Sequence, residues 1–230
     1  MGAQKKVEDG TIVRKIKKFK IPIYTYDILR KAKKRKIDLF ALGLADQESA
    51  REYVASIAAA LEPSTMFDLL TPEDALAKKD GLTDGGAGTV GIITLGAAFG
   101  EKLKAITDPE LFRLAETAAL VFAETGLKVV SELIDQEVAA EGLDLGDPRY
   151  IYACPEPETE SKPIYQSDPD TLAAILNRLN ADNIGVSLDG GSLTPKYSLV
   201  FSIPWLAKKK KKPAAGKAMP APSLTAKQNE

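Results

Sequence analysis

The stretch from Asp108 to Glu141 constrains the fold of this 230-residue chain more than any other part of its sequence. It begins with Asp108-Pro109-Glu110, an acidic cap, a proline at the first helical position and an acid in the first turn, which together predict a helix start. At about 1.5 Å per residue the predicted helix is about 50 Å long, unless Gly126 bends it. One broad apolar face runs along it, formed by Leu111, Leu114, Ala118, Val121, Phe122, Val129, Val130, Leu133, Ile134 and Val138.

Other apolar segments are typical of strands. Val90 to Leu95 is β-branched and has glycine at both ends, which predicts a buried strand. Lys196 to Ile203 alternates with a two-residue period, as expected of a half-buried antiparallel strand. Further strands are predicted at 65–70 and 184–188, and an extended edge segment at 19–24. Shorter helices are predicted from Asp27 to Lys36 and from an Asp46 cap to Glu62. Two more are predicted to start at Thr71-Pro72-Glu73-Asp74 and at Asp168, the second with the apolar stripe Leu172, Ile175, Leu176 and Leu179. Residues 78–88 and 142–166 are predicted loops.

Histidine is absent and cysteine occurs once, which limits the catalytic and metal sites that this chain can form. The chain has no histidine, which excludes Ser-His-Asp and Cys-His nucleophile systems and His-ligated zinc or iron. Cys154 is the only cysteine, which excludes an intramolecular disulfide and a thiolate metal site. No segment resembles a spanning helix or a secretion signal, so we expect a cytoplasmic protein with no resident metal site and no membrane partner.

The net charge of −1 hides an uneven distribution. Residues 1–37 carry 13 Lys and Arg against 3 acids, and residues 208–230 carry 7 Lys against 1 acid, which leaves 11 basic and 28 acidic residues between them. Basic ends therefore flank an acidic body. The first basic region also contains Phe19, Tyr24 and Tyr26, a mixture that nucleic-acid binders use, although a solvated helix face and a solubilising tail give the same composition.

Two loops are candidates for ligand binding. Residues 86–91 match the Gly-x-Gly-x-x-Gly fingerprint, but a strand follows the glycines where a dinucleotide site needs a helix, so we interpret them as a glycine-rich loop. Residues 149–156 combine Arg149 with Tyr150, Tyr152 and a proline. Such a segment can hold a carboxylate and stack a base, or it can simply be a loop fixed by its aromatic residues.

Several motifs in order resemble the reactivation domain of cobalamin-dependent methionine synthase. Residues 184–188, then Leu193-Thr194-Pro195-Lys196-Tyr197-Ser198 and Val200-Phe201-Ser202-Ile203-Pro204, are similar to the family's closing strands, with its Pro-x-x-Ser and Phe-Ser-x-Pro. Ile92-Ile93-Thr94-Leu95-Gly96 before the long helix resembles the family's Thr-Leu-Gly segment. Arg149 with Ala153-Cys154-Pro155-Glu156 is similar to its Arg-x-x-Pro-Gly-Tyr-x-Ala-Cys-Pro-Asp loop, without the Pro-Gly-Tyr.

The resemblance implies an α+β fold: a C-shaped single domain with a twisted antiparallel sheet and flanking helices, one of them long. It implies binding of S-adenosylmethionine by Arg149, Tyr152, Ala153 and Asp189, where Asp189 stands in place of the family's glutamate. It also implies a partner, a corrinoid-binding protein or methyltransferase that carries cobalamin. No side chain would be catalytic, because the sulfonium methyl and the reduced cobalt supply the chemistry.

The sequence therefore predicts a basic leader at 1–18, an activation-type domain at 19–206 and a disordered tail at 207–230. Its predicted function is S-adenosylmethionine binding for reductive methylation of cobalamin on a corrinoid protein. A non-catalytic assembly module of a one-carbon methyltransferase system is the alternative, and a polyanion or nucleic-acid binder is a third hypothesis.

Overall fold

The computed structural model describes residues 5–6, 12–79, 81–155 and 169–208. Its helices are α1 (Thr25–Lys34), α2 (Gln47–Ala58), α3 (Ala97–Lys104), α4 (Pro109–Ala140) and α5 (Pro169–Leu179), with a 3-10 helix at Ala181–Ile184. Its strands are β1 (Lys5–Lys6), β2 (Ile12–Lys17), β3 (Ser64–Leu70), β4 (Gly88–Thr94), β5 (Leu143–Leu145), β6 (Arg149–Ala153), β7 (Ser187–Asp189), β8 (Ser192–Thr194) and β9 (Ser198–Ala207).

The main sheet is antiparallel throughout, with the order β1-β2-β3-β4-β9. Strands β5 and β6 both pair with β9, so they lie one after the other along its outer side. Strands β7 and β8 form a separate hairpin. Its turn residues Gly190 and Gly191 both have positive φ, a conformation that two-residue hairpin turns require and that glycine adopts without strain.

Helices cover both faces of the sheet, because successive side chains of a buried strand point to opposite sides. We call these faces the α5 side, where Val90, Ile92 and Val200 pack under α5, and the α4 side, where Ile93 and Phe201 pack under α4. Helices α1 to α3 pack around the first half of α4, where Phe99 contacts the Phe122 ring edge-on. The sheet is therefore the middle layer of an α+β domain.

The predicted α+β class, antiparallel sheet and long helix are confirmed. Helix α4 runs from Pro109 to Ala140, and Asp108 caps it by accepting hydrogen bonds from the backbone nitrogens of Glu110 and Leu111, both at 2.9 Å. Asp46 caps α2 in the same way. The four residues of the predicted stripe on α5 are all buried, as the pattern indicated.

Five sequence predictions are wrong, each for a physical reason. Residues 71–74 form turns instead of a helix, because Asp74 accepts from the Thr71 nitrogen at 2.7 Å and pairs with Arg178. The predicted loop at 142–166 contains β5 and β6, which pairing with β9 stabilises. The strand predicted at 184–188 begins only at Ser187, because Ile184 ends the 3-10 helix and Gly185 after it has a φ of +72°. Strand β9, predicted to be half-buried, is buried on both faces up to Pro204 because helices cover both sides of the sheet. Residues 19–24 do not form a strand, because the strand next to β3 is β2, which lies earlier in the chain.

The domain boundaries also need one change. Strand β2 pairs with β3 from Arg14 to Lys17, so residues 12–17 belong to the sheet and not to a separate leader. The predicted tail from 209 onward lies outside the described residues. Within the described part of the chain, none of the helices combines the length and hydrophobicity needed to cross a bilayer.

Candidate functional site

Strand β6 carries three of the four predicted site residues: Arg149, Tyr152 and Ala153. Its pairing with β9 shifts by one residue between Tyr150 and Tyr152, so Ile151 is the extra residue of a β-bulge. As a result Ile151 and Tyr152 both pack on the α5 side, whereas Tyr150 and Ala153 pack on the α4 side. Tyr152 and Ala153 therefore face opposite layers.

Arg149 holds a carboxylate in a two-pronged ion pair. Its Nη1 donates to Oδ1 of Asp84 at 2.7 Å, and its Nη2 donates to Oδ2 of the same residue. The Arg149 side chain is 19% exposed and that of Asp84 is 66% exposed. The planar guanidinium matches the two oxygens of a carboxylate, so the pair shows that this position can bind a carboxylate in a fixed orientation.

Asp84 is presented by the connection between β3 and β4. Its φ is +56° and that of Gly85 is +77°, so two consecutive residues are in the left-handed region, which Asp tolerates better than most side chains. The hydrogen bond from Arg149 holds the pKa of the Asp84 carboxyl below its usual value. Leu82 of the same connection packs on the α5 side. Arg149 points to that side as well, because the next residue of β6, Tyr150, points to the α4 side.

Tyr152 joins β6 to the β7–β8 hairpin. Its hydroxyl oxygen accepts a hydrogen bond from the backbone nitrogen of Leu193 at 3.3 Å. Asp189 is the last residue of β7, opposite Ser192, and is exposed. The structure therefore brings Tyr152 beside the hairpin that carries Asp189. Arg149 lies at the other end of β6, where it pairs with Asp84.

Asp84 and Arg178 are not among the site residues predicted from the sequence. The signal for Asp84 was its place before Gly85-Gly86, where an acid can adopt a left-handed backbone and point away from the chain. Arg178 on α5 donates through Nε to Asp68 Oδ2 at 2.6 Å and through Nη1 to Asp74 Oδ1 at 2.8 Å. Burial raises the pKa of Asp68 and the Arg178 guanidinium opposes that rise. This cluster ties α5 to the sheet, so its role is structural.

No group of three or more Asp, Glu or Cys side chains within the described ranges is arranged to hold a metal ion. On the α5 side, β6 and its neighbours present one guanidinium, one phenol and one exposed acid: Arg149, Tyr152 and Asp189. In comparisons with known proteins, no protein-family model matches the chain and no significantly similar curated protein was found.

Proposed function

We propose that the chain is a small-molecule binding domain that takes S-adenosylmethionine on the α5 side of its sheet and presents the methyl group to a corrinoid protein. The two-pronged ion pair of Arg149 carries this proposal, because the methionine part of the ligand ends in a carboxylate of the same shape as that of Asp84. The antiparallel sheet with its long helix also agrees with the architecture that the sequence motifs imply.

The side chains on this face have the chemical groups needed to bind such a ligand. The Arg149 guanidinium would bind the carboxylate in exchange for Asp84, and Tyr152 would border the site from the next residues of β6. Asp189, exposed on the hairpin beside Tyr152, would contact a part of the ligand away from its carboxylate. Ala153 lies on the other face and would contribute through its backbone alone.

Cobalamin on the partner protein and the sulfonium methyl supply the reactive atoms when both are bound. This chain then needs neither a general acid nor a general base, which is consistent with the absence of histidine. Its contribution is to orient the ligand and to dock on the partner.

Isothermal titration of the full chain with S-adenosylmethionine tests the proposal. Arg149→Gln should weaken binding by about tenfold, because a charge-assisted pair of hydrogen bonds is lost. Arg51→Gln is the matched control, because Arg51 is exposed on α2, away from β6. Decarboxylated S-adenosylmethionine should bind the wild-type chain as weakly as the intact ligand binds Arg149→Gln. Absence of heat and of thermal stabilisation at millimolar ligand would contradict the proposal.

A second candidate function, a non-catalytic assembly module, is supported by a different surface. Tyr26 on α1 and Phe40 in the turns that follow are 75% and 83% exposed, and α1 carries three lysines in its last turn; exposed aromatic and basic residues suit docking on an acidic partner protein. Binding of a free-standing corrinoid protein that is lost in Tyr26→Ser with Phe40→Ser, without any S-adenosylmethionine binding by the wild type, would favour this function. A labelled single-stranded oligonucleotide that binds with a steep salt dependence would instead favour the polyanion hypothesis.

A further inference from the structure

A cleft of about 420 Å³ opens between α1 and α4, on the α4 side of the sheet. Pro148, from the connection between β5 and β6, and Tyr150 of β6 also line it. Its volume lies in the range of small-ligand sites in proteins. Neither the sequence motifs nor the function proposed above assigns this cleft a role.

Charges line the cleft unevenly. Arg30 pairs with Asp27 at 3.0 Å, and Lys31 pairs with Glu124 at 2.6 Å, so these four charges compensate each other. Lys128 is exposed on α4 and has no hydrogen bond or ion pair among the described residues. The lining thus holds one uncompensated positive charge, which a ligand with a single negative charge would balance.

A buried hydroxyl adds a polar group with an unmet hydrogen bond. Ser131 lines the cleft on the same helix, and its Oγ is buried without a hydrogen-bond partner among the described residues. Thr125, which also lines the cleft, instead donates its hydroxyl hydrogen to the Val121 carbonyl at 2.7 Å. A buried hydroxyl without a partner is costly, and rotation of the Ser131 side chain toward the cleft would let an acceptor on a bound ligand remove that cost.

An aromatic ring stands at the rim. Tyr24 occupies the N-cap position of α1 but makes no side-chain hydrogen bond there, and Ser, Thr, Asp and Asn are the residues preferred for capping. Its side chain lines the cleft and the residue is 52% exposed, while Val121 and Leu127 provide apolar surface within the cleft. A planar ring would gain contact area against these groups.

We propose that this cleft binds a small ligand that joins a planar ring to one negative charge, of which an aromatic carboxylate is the simplest form. Lys128 pairs with the charge, Ser131 donates to an oxygen of the ligand, and the ring lies against Tyr24. The cleft and the Arg149 position lie on opposite sides of the sheet, so this inference does not depend on the proposed function.

Saturation-transfer NMR on the full chain tests this with three probes: benzoate, benzamide as the neutral analogue of the same shape, and acetate as the charge without the ring. Benzoate should receive saturation, and benzamide and acetate much less. Lys128→Gln should weaken benzoate binding by about tenfold, as loss of a charge-assisted contact does. Lys102→Gln is the matched control, because Lys102 is an exposed lysine on α3 outside the cleft.

Ser131→Ala separates a ligand contact from a structural role. We expect benzoate binding to fall by about fivefold while the melting temperature stays equal or rises, because a buried hydroxyl without a partner is removed. Equal saturation of benzoate and benzamide, unchanged binding in Lys128→Gln, or loss of binding in Arg149→Gln in place of Lys128→Gln would each overturn the proposal. So would the absence of any benzoate signal at concentrations on the order of 10 mM.

Discussion

Gly91 of β4 lies directly under the ring of Phe201 of β9, its partner across the ladder. A Cβ placed on Gly91 would be 2.3 Å from Cζ of that ring, and Phe201 is completely buried. Glycine in the middle of a strand usually weakens it, so here the ring explains the glycine. We expect Gly91→Ala to lower the free energy of unfolding by roughly 2–3 kcal/mol, because overpacking forces the ring or the strand to move. Urea denaturation measures this change.

Two further variants make that prediction specific. Gly100→Ala on α3 has its nearest contact at 3.9 Å, so it should be neutral or stabilise the protein by up to about 1 kcal/mol through helix propensity. Phe201→Leu in the Gly91→Ala background should recover part of the loss, since the two sites couple through direct contact. A Gly91→Ala protein as stable as the wild type would disprove the packing argument.

Removal of Asp84 should strengthen binding of S-adenosylmethionine, since its carboxylate occupies the Arg149 guanidinium that the ligand needs. We expect Asp84→Ala to tighten binding by several-fold and to change stability by less than about 1 kcal/mol, because the acid is largely exposed. Titration calorimetry measures the first effect. Weaker binding in Asp84→Ala would make Asp84 part of the site and not a competitor.

The same ion pair predicts a pH dependence of stability. Because the pKa of Asp84 is lowered in the folded protein, the unfolded chain binds its proton first as the pH falls. The contribution of the pair is therefore complete above the usual value of 3.8 and is lost as the pH falls through the lower folded value. Alanine at positive φ carries a cost that does not depend on pH, so only the ion-pair part of the stability difference between wild type and Asp84→Ala should disappear under strongly acidic conditions, as measured by urea denaturation at pH 7 and at low pH.

Loss of Arg178 should destabilise the fold more than loss of an exposed arginine. Asp68 is only 2% exposed, so Arg178→Met leaves a buried carboxylate without its cation and should cost about 3–5 kcal/mol at pH 7. Burial already raises the pKa of Asp68, and removal of the Arg178 guanidinium, which opposes this rise, should raise the pKa further. A raised pKa means that the folded protein takes up the proton first, so the deficit should shrink as the pH is lowered.

Arg113→Met provides the comparison. Arg113 pairs with Glu110 and donates to the Arg35 carbonyl at 2.9 Å, but its side chain is 47% exposed and no buried charge depends on it, so its loss should cost about 1 kcal/mol. If both variants lost the same stability, or if the Arg178→Met deficit stayed constant between pH 7 and pH 5, the buried-carboxylate explanation would be wrong.

Tyr152→Phe should loosen the β7–β8 hairpin while leaving the sheet intact. The variant removes the acceptor of the Leu193 nitrogen, a bond whose loss is worth about 0.5–1.5 kcal/mol. We expect the Leu193 amide to exchange with solvent several-fold faster, as measured by hydrogen exchange. Tyr26→Phe is the control, because Tyr26 is exposed and distant from this hairpin. Unchanged exchange at Leu193 would mean that the hydroxyl does not hold the hairpin.

Local signals predicted the elements that carry their own pattern. Asp108 with Pro109 marks the start of α4, and its apolar residues recur at helical spacing, so both the start and the length follow from the sequence. Strands β4 and β9 could be predicted in the same way, because β4 is rich in β-branched residues and apolar residues alternate along β9. Strands β5 and β6 have no comparable pattern: they are three and five residues long, and their partner β9 lies about 50 residues further along the chain.

The sequence by itself determined the long helix, the central strands and the exclusion of histidine chemistry and of a thiolate metal site, because these depend on residue types and short-range spacing, and the motif resemblance implied the α+β class. Only the tertiary structure decided that Arg149 pairs with Asp84, that a bulge puts Tyr152 on the same face of the sheet as Arg149, and that Ser131 and Lys128 line a cleft with α1. Side chains 65 or more residues apart meet through strand register and helix packing. No local pattern in the sequence specifies such contacts.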